Sequence, residues 1–339
     1  MEAVRDLRAL PKAHLHLHFT GSMRQDTLLE LAEEQRLRLP SQLQTGQALR
    51  VEPSARGWFR FQRFYDTARR VVNSEEIMRR LLREAAIDDR AEGSVRLELQ
   101  IDPTSYAPFA GGLTPALELI LDEAEAIEQE EGISLGIVVA ASRMRHPLEA
   151  RTLARLAARN AGRVIGFGLS NDERRGDTRE FAPAFRIARD AGLAAVPHGG
   201  ELLGPGHITE VLDSLRPTRL GHGVRAAEDP RLVERLVADG IAFEICPASN
   251  VALGVYSESG DVPVRTLLEA GATIALGADD PLLFGSRLLE QYEKAREHGF
   301  SDAELAHLAE GSIMASTMSD EAKQQHLAGV QRWLETEPS

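Results

Sequence analysis

Lys12-Ala13-His14-Leu15-His16-Leu17-His18 alternates polar and apolar residues throughout. That period of two belongs to an extended strand, whose successive side chains face opposite ways. Ala13, Leu15 and Leu17 fall on one face, where they need another layer to cover them. His14, His16 and His18 fall on the other, with His16 and His18 nearest the strand's end and His14 deeper.

Working outward, the chain repeats the theme. Short β-branched or apolar runs lie at about 13–18, 95–101, 133–140, 163–169, 193–198, 218–222, 241–246 and 273–278. Amphipathic helical patterns separate them, among them Glu75 to Ala91, Pro115 to Glu130, Leu148 to Arg159 and Phe181 to Ala191. Strict strand–helix alternation predicts an α/β protein with a parallel sheet under helices, and eight repeats favour a closed TIM (β/α)8 barrel over an open doubly wound sheet. Residues 25–90 are too many for one crossover, so extra helices are expected after strand 1. Their Trp58, Phe59, Phe61, Phe64 and Tyr65 are candidates for core or for a lid over the barrel mouth.

The 339 residues are 43% hydrophobic, enough for one barrel domain over 1–339. The formal charge of -13 excludes a nucleic-acid partner, which would need a basic surface. No apolar run is long enough to span a membrane, and Met1 to Arg8 has no apolar export region. With Cys246 alone there is no internal disulfide, which points to the cytoplasm. Oligomeric state is not legible.

Placed on this map, the reactive residues fall at strand ends. His16 and His18 close the first strand, Ser170 and Asn171 follow the fourth, His198 ends the fifth, His222 the sixth, and Asp279 and Asp280 follow the eighth. In such a barrel these ends share one mouth. His16, His18, His198 and Asp279 make an N₃O set suited to zinc or another first-row divalent ion. Glu201, after Gly199-Gly200, is a candidate proton shuttle, and His222 a candidate to orient or deprotonate water. Each has a plainer reading, as a loop carboxylate or a packing histidine.

The motifs Pro11-Lys12-Ala13-His14-Leu15-His16-Leu17-His18, His198-Gly199-Gly200-Glu201, Arg219-Leu220-Gly221-His222-Gly223, Cys246-Pro247-Ala248-Ser249-Asn250 and Gly277-Ala278-Asp279-Asp280-Pro281 come in this order along the chain. Together they resemble the adenosine deaminase-type branch of the amidohydrolase superfamily. The resemblance implies one Zn²⁺ per subunit on His16, His18, His198 and Asp279, with Glu201, His222 and Asp279 as the catalytic residues. Glu201 would protonate purine N1 and Asp280 would bond at N7. Gly168-Leu169-Ser170-Asn171-Asp172-Glu173 is similar to the family's N3-binding turn, with Asn171 where glycine is usual; asparagine tolerates the left-handed conformation such a turn needs.

The family usually has an acidic residue two places after the second histidine, where Thr20 stands here. The stretch His18-Phe19-Thr20-Gly21-Ser22-Met23-Arg24 resembles an actinobacterial branch that deaminates 6-amino-6-deoxyfutalosine in menaquinone biosynthesis. That nucleoside carries a benzoate at its 5′ end, so losing an acid and gaining Arg24 makes electrostatic sense. Thr20, Arg24, His18, Ser170, Asn171 and Asp280 are thus the expected contacts of a small purine nucleoside. Adenosine, methylthioadenosine, a different amidohydrolase reaction and a catalytically silent nucleoside-binding barrel are the alternatives.

Overall fold

The computed structural model describes residues 4–337; residues 1–3 and 338–339 of the expected domain lie outside the described residues. Eight strands form in register with the apolar runs: β1 (Lys12–His18), β2 (Ser94–Ile101), β3 (Ser134–Ser142), β4 (Val164–Ser170), β5 (Ala194–Gly199), β6 (Arg219–His222), β7 (Ala242–Ile245) and β8 (Ile274–Leu276). Each pairs in parallel with the next. The ring closes just past β8, where His18 N–H donates to Asp279 O at 2.9 Å and Asp279 N–H to His16 O at 3.0 Å. Those two bonds exclude the open sheet, whose outer strands would have no partner.

The eighth strand is shorter than the expected 273–278. Gly277 passes so near β1 that a Cβ on it would lie 2.8 Å from His16 Cβ, and the chain then turns through a left-handed Asp279, φ 62°. The expectation that His14, His16 and His18 share one face is also corrected. Three steps from His14 to Leu17 match two steps from Leu97 to Leu99 on β2. This β-bulge takes up one extra residue and reverses the alternation. His14 therefore turns to a flanking helix, whereas His16 and His18 face the mouth.

Four helices occupy the long first connection: α1 (Gln25–Glu34), α2 (Ser41–Thr45), α3 (Ala55–Arg69) and α4 (Glu75–Ala91). Ser54 and Ser74 cap α3 and α4, accepting from the backbone N–H groups of Gly57 and Ile77, which satisfies donors the first turn leaves free. α3 buries Trp58 and Phe61, with Phe61 stacked on Phe284 at 5.5 Å, and so lies across the barrel mouth. Helix Asp302–Ala315 backs β1 and β8, and Ser312 Oγ accepts from Ala13 N–H at 2.9 Å. No helix among the described residues is long and apolar enough to cross a membrane.

Candidate active site

Five non-glycine residues adopt positive φ among the described residues, and three of them, Asn171 (81°), His222 (60°) and Asp279 (62°), stand at the ends of β4, β6 and β8. Each left-handed turn costs on the order of 1–2 kcal/mol. Strain of this kind persists where the fold needs a side chain aimed against local preference, and here it aims three at the mouth.

His18 Nε2 lies 3.2 Å from His198 Nε2 and 3.2 Å from Asp279 Oδ1, and His16 Nε2 lies 3.7 Å from the same oxygen. Burial alone would raise the Asp279 carboxyl, but the His18 bond and the surrounding imidazoles hold it well below the usual carboxylate range. An ionised oxygen and three imidazole nitrogens thus converge. Metal–ligand bonds of about 2.0–2.1 Å in a tetrahedral site put donor atoms roughly 3.3 Å apart, so the spacing fits a zinc-sized ion. His16 Nε2 has no other partner although fully buried, which is how a ligand atom looks when its ion is left out of account.

Other donors stand close. His222 shares a 4.8 Å cluster with His16 and His198, and Cys246 another with His16 and Asp279. His222 Nε2, however, is 3.7 Å from Glu201 Oε1 and 3.9 Å from Asp279 Oδ2, so it faces across the cluster toward the acid. Burial, and then the Asp279 and Glu244 carboxylates, push the Cys246 thiol far up.

The supports are equally specific. His16 Nδ1–H donates to Glu244 Oε2 at 2.8 Å, which leaves Nε2 as the lone-pair nitrogen. His14 Nδ1 bonds Asp89 of α4 at 2.9 Å, and its Nε2 accepts from Ala278 N–H at 3.0 Å, fastening the backbone beside Asp279. Glu173, which sequence reasoning passed over, accepts from the N–H groups of Glu201, Leu202 and Leu203 at 3.1, 2.9 and 2.8 Å. It sets the turn that carries Glu201. Its one legible signal was its place at the end of the Gly168–Glu173 segment.

The Glu201 carboxyl is raised well above its ordinary value by burial and then by Asp279 and Glu173, which favours its acid form. Asp280 is raised too, by burial and by Asp279. Each keeps one buried carboxyl oxygen without a partner, Glu201 Oε2 and Asp280 Oδ1. Burial lowers His222 to about 3, so its imidazole is neutral. Two acids raised above their ordinary range and a neutral imidazole stand around a cation-sized cluster, groups of the kind that give and take protons.

The cluster opens into a cavity of about 410 Å³. Its floor includes His18, His198, Glu201, Asp279 and Asp280; Ser170 and Asn171 flank it; Trp58, Phe61 and Tyr65 of α3 wall it. Asn171 ties that wall down, accepting from Trp58 Nε1 at 3.3 Å and donating to Gln62 Oε1 at 3.1 Å. Arg69 and Arg145 also line the cavity; neither was anticipated. Two expected contacts fail to reach it. Arg24 points outward from the start of α1 to Asp88 of α4, in a two-pronged pair at 2.6 and 2.9 Å. Thr20 is fully buried, its hydroxyl bonded to Tyr106 Oη at 2.7 Å, and only Tyr106 meets the cavity.

A closed parallel barrel whose mouth gathers imidazoles, an ionised aspartate and a buried glutamate raised above its ordinary range is the arrangement of a barrel hydrolase with room for a divalent ion. The chain belongs to the adenosine deaminase family, whose profile matches residues 11–333, and it is a hydrolytic deaminase acting on a purine. It is 60% identical over 341 residues to a putative adenosine/adenine deaminase of Streptomyces coelicolor, covering 98% of this chain and 99% of that one. It is 34% identical over 325 residues to an adenine deaminase of Rhizobium leguminosarum, covering 94% and 98%. Among solved structures, adenine deaminase from Arthrobacter aurescens superposes with a TM-score of 0.88 at 28% identity, covering 96% and 100%. Arabidopsis ADAL complexed with IMP gives 0.84 at 25%, covering 96% and 97%.

Proposed function

We propose that the chain deaminates a 6-aminopurine nucleoside with an anionic 5′ extension, 6-amino-6-deoxyfutalosine, to futalosine and ammonia, within menaquinone biosynthesis. One observation carries this reading: the cavity of about 410 Å³ is lined by the metal-type cluster, by aromatic residues of α3 and by two guanidiniums, Arg145 and Arg69, the latter paired with Asp66. A free base would fill only the inner part. An aromatic carboxylate at the 5′ end offers the aromatic wall a ring and the arginines an anion. Arg69 and Arg145 take over the part first given to Arg24.

His16, His18, His198 and Asp279 would hold the zinc ion, which on binding lowers the pKa of water and polarises it for attack. Glu201 donates its proton to N1, drawing electron density from C6. His222, neutral and 3.7 Å from Glu201, takes the proton that the attacking water gives up. Asp280, kept in its acid form, donates to N7, an acceptor. Water's oxygen adds at C6; the C6–N bond breaks as the amino group takes the proton held by His222 and leaves as ammonia, and the proton of the new C6 hydroxyl passes to Glu201 as the carbonyl forms, restoring its acid form. Ser170 and Asn171 border the purine. The single buried Cys246 accords with a reducing cytoplasmic setting.

The names of the relatives favour a second reading, free adenine. A kinetic panel of 6-amino-6-deoxyfutalosine, methylthioadenosine, adenosine and adenine, read by ammonia release, separates the two. The carboxylate nucleoside is expected to exceed adenosine in kcat/KM by at least about 10-fold, the worth of one charge-assisted bond. Adenine as the best substrate would overturn the nucleoside reading and keep the deaminase.

A further inference from the structure

Four charged side chains are sealed inside the barrel below the site. Arg219 of β6 donates from Nε to Glu244 Oε1 of β7 at 2.6 Å and from Nη2 to Glu98 Oε2 of β2 at 2.5 Å. Arg96 of β2 donates to Glu98 Oε1 at 3.2 Å and, through its other nitrogens, to Ser134 and Thr317 Oγ1 at 2.8 Å each. Glu98 Oε1 also accepts from Thr317 N–H at 2.7 Å, and Arg219 Nη1 reaches Ala315 O at 2.9 Å. None of the four is more than 5% exposed. Two guanidiniums balance two carboxylates, and every link is a hydrogen bond. Well-packed apolar side chains would fill a barrel interior at least as stably, so stability alone does not account for ions here.

Charge leaves this chain toward the site at one point. Glu244 spends one oxygen on Arg219 and the other on His16 Nδ1. We propose that Glu244 is a positioning residue for the metal centre, held at a fixed charge and orientation by Arg219 and, through it, by Glu98 and Arg96. Fixed in this way, it accepts the His16 Nδ1 proton and presents Nε2 to the ion. The inference rests on His16 being a ligand, as in the function proposed above. Its chemistry is that of a carboxylate behind a metal-bound histidine, where loss of the outer group typically costs about 10–100-fold in metal affinity. What this fold adds is the anchor, a neutral ion chain crossing from β7 through β6 to β2.

The test is zinc affinity by chelator competition alongside the thermal midpoint of the metal-free protein. Glu244→Asp keeps the charge and withdraws the oxygen from His16, and Glu244→Gln with Arg219→Gln removes one charge of each sign, leaving Arg96 and Glu98 balanced. Both are expected to bind zinc about 10–100-fold more weakly, with the double variant regaining the metal-free midpoint that Glu244→Gln alone loses. Glu98→Gln, in the same chain but one link removed from His16, is expected to lower that midpoint with a smaller change in zinc binding. Zinc affinity that simply follows the midpoint across the four variants would make the chain structural and overturn the proposal, as would wild-type affinity in Glu244→Asp. His16→Ala separates the underlying reading: if it binds zinc like the wild type, His16 is no ligand and the function proposed above fails with it.

Discussion

At the scale of single residues, burial and the neighbouring Asp279 raise the Glu201 and Asp280 carboxyls of the site. Glu201 is raised by burial and by Asp279, so between the ordinary glutamate value, about 4.3, and its folded value the unfolded chain has lost this proton while the folded chain keeps it. The unfolded state then binds fewer protons, and stability falls as pH rises through that window. Glu201→Gln has no such proton. Metal-free Glu201→Gln should therefore match the wild type in acid and exceed it in thermal midpoint as pH rises to neutral, while losing about 10²–10⁴-fold in kcat. In the wild type kcat/KM should fall on the alkaline side as Glu201 ionises, a limb missing from the variant. A variant that is both inactive and less stable at neutral pH would contradict the burial argument. That Glu201, His222 and Asp280 meet at the barrel mouth was open to sequence reading because each stands at or just past a strand end. Arg24 was misread for a physical reason: sequence locates a guanidinium along the chain but does not reveal that Asp88, sixty-four positions on, already holds it.

At the scale of elements, the bulge in β1 and the inserted α3 decide what the site contains. Period two predicted three histidines on one face; the extra residue between His14 and Leu17 leaves no trace in β1 alone, because it exists only relative to β2. α3 was legible as an aromatic helical insertion, and its place over the mouth follows from ties such as Asn171 to Trp58 and Gln62, which join residues more than a hundred positions apart. Two predictions belong here. Arg145 is 62% exposed and only loosely set near Glu149, at 3.9 Å. Arg145→Met should thus leave the thermal midpoint unchanged, lower kcat/KM for the carboxylate nucleoside about 10-fold and spare adenosine; equal losses on both would remove Arg145 from the 5′ pocket. Glu173→Ala leaves three backbone N–H groups without their acceptor. It should cost about 3 kcal/mol in urea unfolding and reduce kcat even for adenosine, since the turn bearing Glu201 is then free to move.

At the scale of the whole molecule, barrel closure and the candidate metal site share residues. Eight strands and their order could be read from hydrophobic runs because each strand is covered by its own helix, a local pattern. Closure is not local: it is made by His16, His18 and Asp279 exchanging backbone bonds, and these same three residues supply most of the donor set. The folded chain holds His18 Nε2 and His198 Nε2 3.2 Å apart, with Asp279 beside them; the unfolded chain has no such cluster. An ion that binds only the folded form stabilises it by about 2.7 kcal/mol at a hundred times its dissociation constant, which for 339 residues is a rise of roughly 4 °C in thermal midpoint. Chelated protein should lose ammonia release and melt lower, and added zinc should restore both with a midpoint that climbs with zinc concentration. Because three of the four proposed ligands sit on the seam between β8 and β1 while His198 stands on β5, His198→Ala should abolish the zinc-dependent rise but leave the metal-free midpoint near the wild type, whereas Asp279→Ala, at the left-handed turn of the seam itself, should abolish the rise and also shift that midpoint. Equal metal-free midpoints in the two variants would separate closure from metal binding and refute the link.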